Sequence, residues 1–528
     1  MRWYLLQHLL GASTNTAAAA VSRLDNTTCL LLRHQKYCTS GNQFDYDAAT
    51  SKYRKLLKPR EHFNFAKDVV GHWASVKPNH PAVYLTDGSK QTVVSYSELY
   101  QEAQALATAL SDPVAPRCAL VILPKVPEWW VLNVALSWCG TIFSAGTTLL
   151  TPGDIRHRLV ESKADCLVCD AAMAAALHTL TQSLPRRIVV TDNNQHVGYW
   201  LDLTEEDMLW NISDTGWAKT AWSSLYVPLM TGATAFVHQM PRFDGAEVLR
   251  TLSEHPVTVL CAPPTVYRAL LQYDLSRHTF PALRHCVSAG EPLNPQAMQL
   301  WTQYTGLPIY EGYGQTETTL LTCISKGMQL RPGSMGKAAP GYTIKVIDDK
   351  QQELRPHQEG YLAVSLKEGH PVGLFKGYLS DERKTSQAFV GDYYVTGDRG
   401  YYDDDDYFWF VGRADDVILS AGYRIGPFEV ESALLEHPAV AESAVVSSPD
   451  PLRSEVVKAF VVLADDYKDC DPQTLVVQLQ NHVKTTTAPY KYPRKIEFVE
   501  SLPKTVSGKI RRVQLRQQEW QTHHTSKV

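Results

Sequence analysis

Short apolar runs recur through the middle of this chain, and each ends at a small, glycine-rich or proline-rich loop. VTVLCA (257–262), RHCVSA (284–289) and LPIYEG (307–312) are the clearest. Such runs are short enough for buried strands, and helix-like segments lie between them. That rhythm predicts an α/β fold with ligand loops at the carboxyl ends of the strands. Earlier in the chain, CALVILP (118–124) reads as another buried strand. A helix is expected to start near Pro127, where proline suits a first turn. Val83–Thr86 and Val93–Tyr96 flank Asp87-Gly88, a hairpin signal. Ser97 is the expected cap of a helix from Glu98 to Leu110.

At 528 residues the chain exceeds what one hydrophobic core supports, so two or more domains are expected. A boundary falls near Arg413–Asp416. Before it, YYVTGDRGYY and YFWFVG read as paired strands around the aspartates 403–406, a solvated hairpin turn rather than a metal site. After it come a helix from about Pro427 to Glu436, strands near 440–447 and 457–464, and a helix near 473–485. The division is a large domain over 41–414 and a small one over 415–528.

Composition narrows the class. The formal net charge of −4 argues against a nucleic-acid-binding role. The ten cysteines show no dense spacing and fit a reducing compartment. Cys166 and Cys169 form a C-x-x-C, but no second pair accompanies them, and Leu167 and Val168 between them read as a core strand. No membrane span is expected, because the most apolar region, 118–150, is broken by Pro124, Lys125, Pro127 and Glu128. Residues 1–40 carry Arg2, Arg23, Arg33 and Lys36 against one acid, Asp25, among many Ser, Thr and Ala residues. That bias is expected of a mitochondrial transit peptide, and so the mitochondrial matrix is the expected location. A monomer is expected.

Three segments carry the chemistry. YEGYGQTETT (310–319) supplies two glycines for close backbone approach, then hydroxyl and carboxylate groups. Thr316 suits a phosphate oxygen, Glu317 is the oxygen ligand type that Mg²⁺ takes, and Tyr313 could lie against a purine. Alone, such a loop is ordinary. YYVTGDRG (393–400) and FVGRADDVILSAGYRIGPFEVE (410–431) follow. Asp398 after a tight glycine turn suits both ribose hydroxyls of a nucleotide, and Arg413 and Arg424 suit ribose or phosphate, or else plain surface ion pairs. LPKTVSGKIRR (502–512) places Lys509 in a flexible Ser-Gly context.

Together and in this order, these segments resemble the adenylate-forming superfamily of acyl-CoA synthetases, luciferases and peptide-synthetase adenylation domains, over residues 60 to 518. FNFAKDVVGHW (63–73), LPKVPEWW (123–130), SDTGWAKTAWSS (213–224), YRIGPFEVESALLEHPAVAESAVVSSPDP (423–451) and TAPYKYPRK (487–495) narrow the resemblance to the medium-chain acyl-CoA synthetases of mitochondria. The resemblance implies an α/β, multi-subdomain N-terminal adenylate-forming domain and a small mobile C-terminal α+β domain. It implies ATP, Mg²⁺, coenzyme A and a small carboxylic acid as reactants, with acyl-AMP as intermediate. Gly290, Glu291, Pro292, Glu311, Gly312, Tyr313, Gly314, Gln315 and Thr316 then resemble the adenine and phosphate loops. Glu317 resembles the magnesium carboxylate, Asp398 and Arg413 the ribose contacts, Lys509 the adenylation lysine and Asp415 the hinge between half-reactions. Ala421, Gly422, Tyr423, Arg453, Tyr492, Pro493 and Arg494 resemble the CoA face. Trp217 resembles an acyl-pocket wall, with a core tryptophan as the alternative.

One family element is missing. A Ser/Thr/Gly-rich loop ending in Pro-Lys should lie between RIVVTD (187–192) and LDLTEEDMLW (201–210), yet Gly198 is the one glycine between residues 154 and 215. The chain passes from one landmark to the next with an internal deletion near 193–200, which should also remove a core strand. A spliced or misassembled product, a natural deletion and a disabled relative are the explanations. The alternative to a ligase is therefore a protein of this fold that binds AMP, CoA or acyl-CoA without adenylating. A luciferase-like or carrier-acylating enzyme fits the SDTGWAKTAWSS and YKYPRK segments less well.

Overall fold

The computed structural model describes residues 62–111, 114–169, 200–240, 242–420, 423–450, 453–504 and 510–525. The leader expected over 1–40, the junction near 193–200, and Ala421, Gly422 and Lys509 lie outside them.

The expected run of strands is a block of parallel neighbours. Ile309–Tyr313, His285–Ala289, Val259–Ala262, Met208–Asn211, Thr234–His238 and Pro81–Thr86 pair successively in parallel. Val259–Ala262 and Thr234–His238 are buried throughout, and His285–Ala289 and Met208–Asn211 at all but one residue each, the state that parallel strands covered on both faces require. Gln91–Ser95 closes one edge by pairing antiparallel with Pro81–Thr86, which is the hairpin that Asp87-Gly88 signalled. On the other edge the chain turns antiparallel through Thr322–Cys323, Ser334–Ala338, Phe408–Arg413, Tyr393–Tyr402, Gly360–Ser365 and Ile344–Ile347. Among the described residues these strands belong to one fourteen-stranded sheet.

A second, three-stranded parallel sheet holds Ile142–Ala145, Cys118–Ile122 and Cys166–Cys169. The C-x-x-C pair thus sits in a strand, as its neighbours indicated, and neither cysteine is in a disulfide. Among the described residues no cluster of three or more His, Cys, Asp or Glu is arranged for a metal ion. Helix Pro127–Cys139 begins at the expected proline and stops at Gly140, whose φ of +70° favours glycine. It buries Trp129 and Trp130, and the Trp130 indole donates to the Ser224 carbonyl at 2.8 Å.

Two local expectations are corrected. The helix ending at Leu110 starts at Tyr96, and its cap is Ser95 rather than Ser97. Ser95 and Glu98 form a reciprocal capping box, which satisfies two amide donors that Ser97 would leave open. The aspartates 403–406 do form a hairpin tip, but Asp403 is buried rather than solvated. It accepts the Tyr407 and Asp405 amides at 3.0 Å each and Arg331 at 2.6 Å, so it builds the turn.

The small unit has its own core. A five-stranded sheet is built from Tyr423–Ile425, Ile418–Ser420, Ser454–Leu463, Val440–Asp450 and Lys495–Phe498. Helices Pro427–Leu435 and Pro472–Thr486 cover it through Val430, Leu434, Leu475, Leu479 and Val483. A last helix, Arg512–Thr525, packs on strand Val440–Asp450. Buried Glu431 locks it, taking Arg512 in two bonds of 2.9 and 2.6 Å while also accepting the Val445 amide at 2.8 Å. No described helix is long and apolar enough to cross a membrane.

Candidate active site

The site is built at the carboxyl end of strand Ile309–Tyr313, where the parallel block meets the antiparallel one. Gly314 has no alternative there, because a Cβ would lie 1.7 Å from the Thr319 carbonyl oxygen. The loop doubles back, with the Gln315 amide donating to Thr318 Oγ1 at 3.0 Å and the Tyr342 hydroxyl donating to the Thr318 carbonyl. Thr316 is left exposed at the tip.

This fold-back delivers Gln315 and Tyr313 to Asp398. Asp398 Oδ2 accepts the Tyr313 hydroxyl at 2.6 Å and the Gln315 amide at 2.7 Å, and Oδ1 accepts Arg413 at 3.2 Å. The arginine faces it across the sheet register. Gly397, at φ +75°, makes the turn that points the carboxylate inward. Burial pushes the Asp398 carboxyl above its ordinary value, and the Tyr313 hydroxyl, Arg413 and Gln315 draw it back toward the ionised form. Tyr394 closes the ring, its hydroxyl donating to Gln315 Oε1 at 2.9 Å. Tyr313 and Gln315, expected from the sequence as nucleotide contacts, both spend a side-chain donor on this aspartate.

Glu311 is a different case. It sits beneath the loop, buried, with Oε1 accepting the Leu293 amide at 2.9 Å and Oε2 without a hydrogen-bond partner. Burial raises its carboxyl to about 8. It therefore ties strand Ile309–Tyr313 to the loop that carries Gly290, Glu291 and Pro292. Gly290 has φ +111° with open space where a Cβ would be. Glu291 stands 3.8 Å from Arg268.

Glu317 accepts the Tyr378 hydroxyl at 3.0 Å. A single carboxylate beside the exposed Thr316 hydroxyl fits Mg²⁺, which keeps waters and phosphate oxygens as its other ligands. Trp217 is 37% exposed, so the core-tryptophan alternative does not hold. It follows Gly216, whose Cβ would fall 2.3 Å from the Thr147 amide nitrogen, and precedes Lys219, which donates to the Ala289 carbonyl at 3.3 Å. The segment is thereby fixed between the two parallel sheets.

On the small unit, Tyr423 stacks on Tyr490 with ring centroids 4.1 Å apart. Arg494 donates to the Tyr492 hydroxyl at 2.8 Å, and Lys484 lies 4.2 Å from the Tyr492 ring centroid. Pro493 offers its carbonyl to Gln480 at 3.0 Å, and the Arg453 amide donates to Asp450 at 2.9 Å. Arg424 goes elsewhere, to 3.9 Å from Asp349, and makes no contact with the Asp398 ring of bonds. Tyr378, Tyr394 and Tyr490 were not singled out in the sequence, where 26 tyrosines carry no spacing that marks these three.

A loop folded back on a strand end, a buried aspartate on the antiparallel side of the same sheet, and a separate small α/β unit are the features of an AMP-binding enzyme. The model of that family matches residues 70–208 and 193–379, and the model of the AMP-binding enzyme C-terminal domain matches 429–509. Within it the chain belongs to the acyl-coenzyme A synthetases. It is 43% identical over 561 aligned residues to the mitochondrial acyl-coenzyme A synthetase ACSM3 of Mus musculus, with 93% of this chain and 96% of the relative covered. It is 44% identical over 548 residues to the mitochondrial ACSM4 of Homo sapiens, covering 90% and 93%. Among solved structures, the anthranilate CoA ligase AuaEII in complex with anthranoyl-AMP superposes with a TM-score of 0.78 at 26% identity, over 88% of this chain and 99% of that one.

Proposed function

We propose that this protein joins a medium-chain or aromatic carboxylic acid to coenzyme A in the mitochondrial matrix. A carboxylate oxygen attacks the α-phosphorus of ATP, the bond to the β-phosphate breaks, and acyl-AMP and pyrophosphate form. The CoA thiol then gives up its proton and attacks the acyl carbon, and AMP leaves. The observation that carries this reading is the Asp398 cluster. A buried carboxylate with an arginine beside it is built to accept two vicinal hydroxyls, as a ribose presents them.

Around that anchor each residue has a task. The loop at Gly290–Pro292 leaves open backbone for the adenine, and Thr316 offers its exposed hydroxyl to a phosphate. Glu317 would hold Mg²⁺, which supplies charge neutralisation for the phosphates. Lys509 brings a cation to the developing charge between carboxylate and phosphate. Trp217 walls the acyl group. Rotation at Asp415 then presents Tyr423, Arg453, Tyr492 and Arg494 to the CoA.

The family model matches in two pieces that overlap at 193–208, and the alignment to ACSM3 is longer than this chain. Both support the reading that the glycine-rich phosphate loop is missing near 193–200. Thr316 and Glu317 would then hold the terminal phosphates without it, by a hydroxyl and by Mg²⁺, and Lys509 keeps its place at the reacting centre.

The test is thioester formation by the chain without residues 1–40, given Mg·ATP, CoA and acids from butyrate to dodecanoate plus benzoate. Product is expected, falling by ~10²-fold or more in Lys509→Ala. Folded protein that makes thioester neither from ATP and acid nor from supplied acyl-AMP would sink the proposal.

A further inference from the structure

The segment joining the two units is fastened on both sides. Toward the large unit, the Ala414 amide donates to the Gly397 carbonyl at 2.9 Å, one residue from Asp398. Toward the small unit, Arg516 of helix Arg512–Thr525 donates to the Asp415 carbonyl and to Asp416 Oδ1, the latter at 2.7 Å. Asp416 is largely buried at this contact, with a side chain 15% exposed. Two more bonds span the segment, from the Asp416 and Val417 amides to the Arg413 carbonyl at 3.0 and 3.1 Å.

A peptide group is a rigid plane. Gly397 holds the 413–414 plane against the large unit, and Arg516 holds the 415–416 plane against the small one. Between these two planes only the φ and ψ of Ala414 and Asp415 are free to turn. The spanning bonds to the Arg413 carbonyl are then the ones that a rotation must break. Without Arg516, the dihedrals of Asp416 and Val417 join the soft stretch.

We propose that Arg516 is a positioning residue for both half-reactions. It confines the domain rotation to Ala414 and Asp415, so that the small unit returns to the same two orientations on each turnover. This rests on the reading of Asp415 as the hinge. Arg516 bonds to the linking segment and not to the reacting groups. It acts through the stiffness of the segment, which sets how reproducibly Lys509 and the CoA face are delivered.

Hydrogen exchange of the full chain and separate half-reaction rates test it together. In Arg516→Ala, exchange at residues 414–417 is expected to rise ~10-fold or more, with Arg516→Lys restoring part of the protection. The rate of acyl-AMP formation without CoA, divided by the rate of thioester formation from supplied acyl-AMP, is expected to shift by ~3-fold or more. Unchanged exchange in 414–417, or half-reactions that fall by one common factor, would overturn the proposal. Asp415→Pro separates the two ideas. If it leaves both half-reactions as they are, the hinge reading fails, while the exchange result still decides whether Arg516 stiffens the segment.

Discussion

Glu311 shows what burial does to one carboxyl. Held to about 8 from an ordinary 4.5, it keeps its proton in the folded chain where the unfolded chain has released it. The folded state binds more protons across that window, so stability falls as pH rises from about 4.5 to about 8. Glu311→Gln retains the shape and an acceptor for the Leu293 amide without ionising. It is expected to be more stable than wild type by about 1–3 kcal/mol at pH 8 and close to it at pH 4.5, read from urea midpoints. A variant equally destabilised at both pH values would show that the proton is not the issue. Glu311 also marks a limit of sequence reading. YEGYGQTE put it among the candidate nucleotide contacts, but it lies in strand Ile309–Tyr313, and its side chain is turned to the Leu293 amide, eighteen residues away. Gly314 was legible, because close backbone approach leaves glycine as the one residue that fits. The link from Tyr394 through Gln315 to Asp398 was not, because it joins residues roughly eighty apart through ordinary polar groups.

Among elements, the C-terminal helix Arg512–Thr525 is tied down at its first residue by a buried ion pair. Arg512 holds Glu431 in two bonds, and Glu431 is 4% exposed. Removing the arginine leaves a buried carboxylate without its cation. Arg512→Ala is expected to cost the small unit about 3–5 kcal/mol, and pairing it with Glu431→Leu should recover most of that loss. Denaturant unfolding followed by tryptophan fluorescence, with Trp520 on the same helix, measures both. A double variant no more stable than the single would argue that the helix is held elsewhere. Helices Pro427–Leu435 and Pro472–Thr486 and strands Val440–Asp450 and Ser454–Leu463 were read from the sequence to within a few residues, whereas the short strands Ile418–Ser420, Tyr423–Ile425 and Lys495–Phe498 were not. The Ser95 cap was missed for a reason of geometry: Ser97 is also a good capping residue, and only the reach of Glu98 back to Ser95 decides between them.

For the whole molecule, nucleotide binding and folding are linked. AMP at ~100 times its dissociation constant is expected to stabilise the large unit by about 2.7 kcal/mol, seen as a rise in thermal midpoint. Asp398→Ala should abolish that rise while Arg424→Ala, placed against Asp349, leaves it intact. An Arg424→Ala chain that loses the shift would restore Arg424 to the ribose site. The connection between the units has a further consequence. Four residues separate strand Phe408–Arg413 from strand Ile418–Ser420, and a chain of that length spans at most ~14 Å. On so short a leash the small unit behaves as a reactant held at millimolar or higher effective concentration beside the large one. On the proposed reaction, the surface that presents CoA thus stays within reach of the activated acyl group through the whole turnover, as a tethered reactant does.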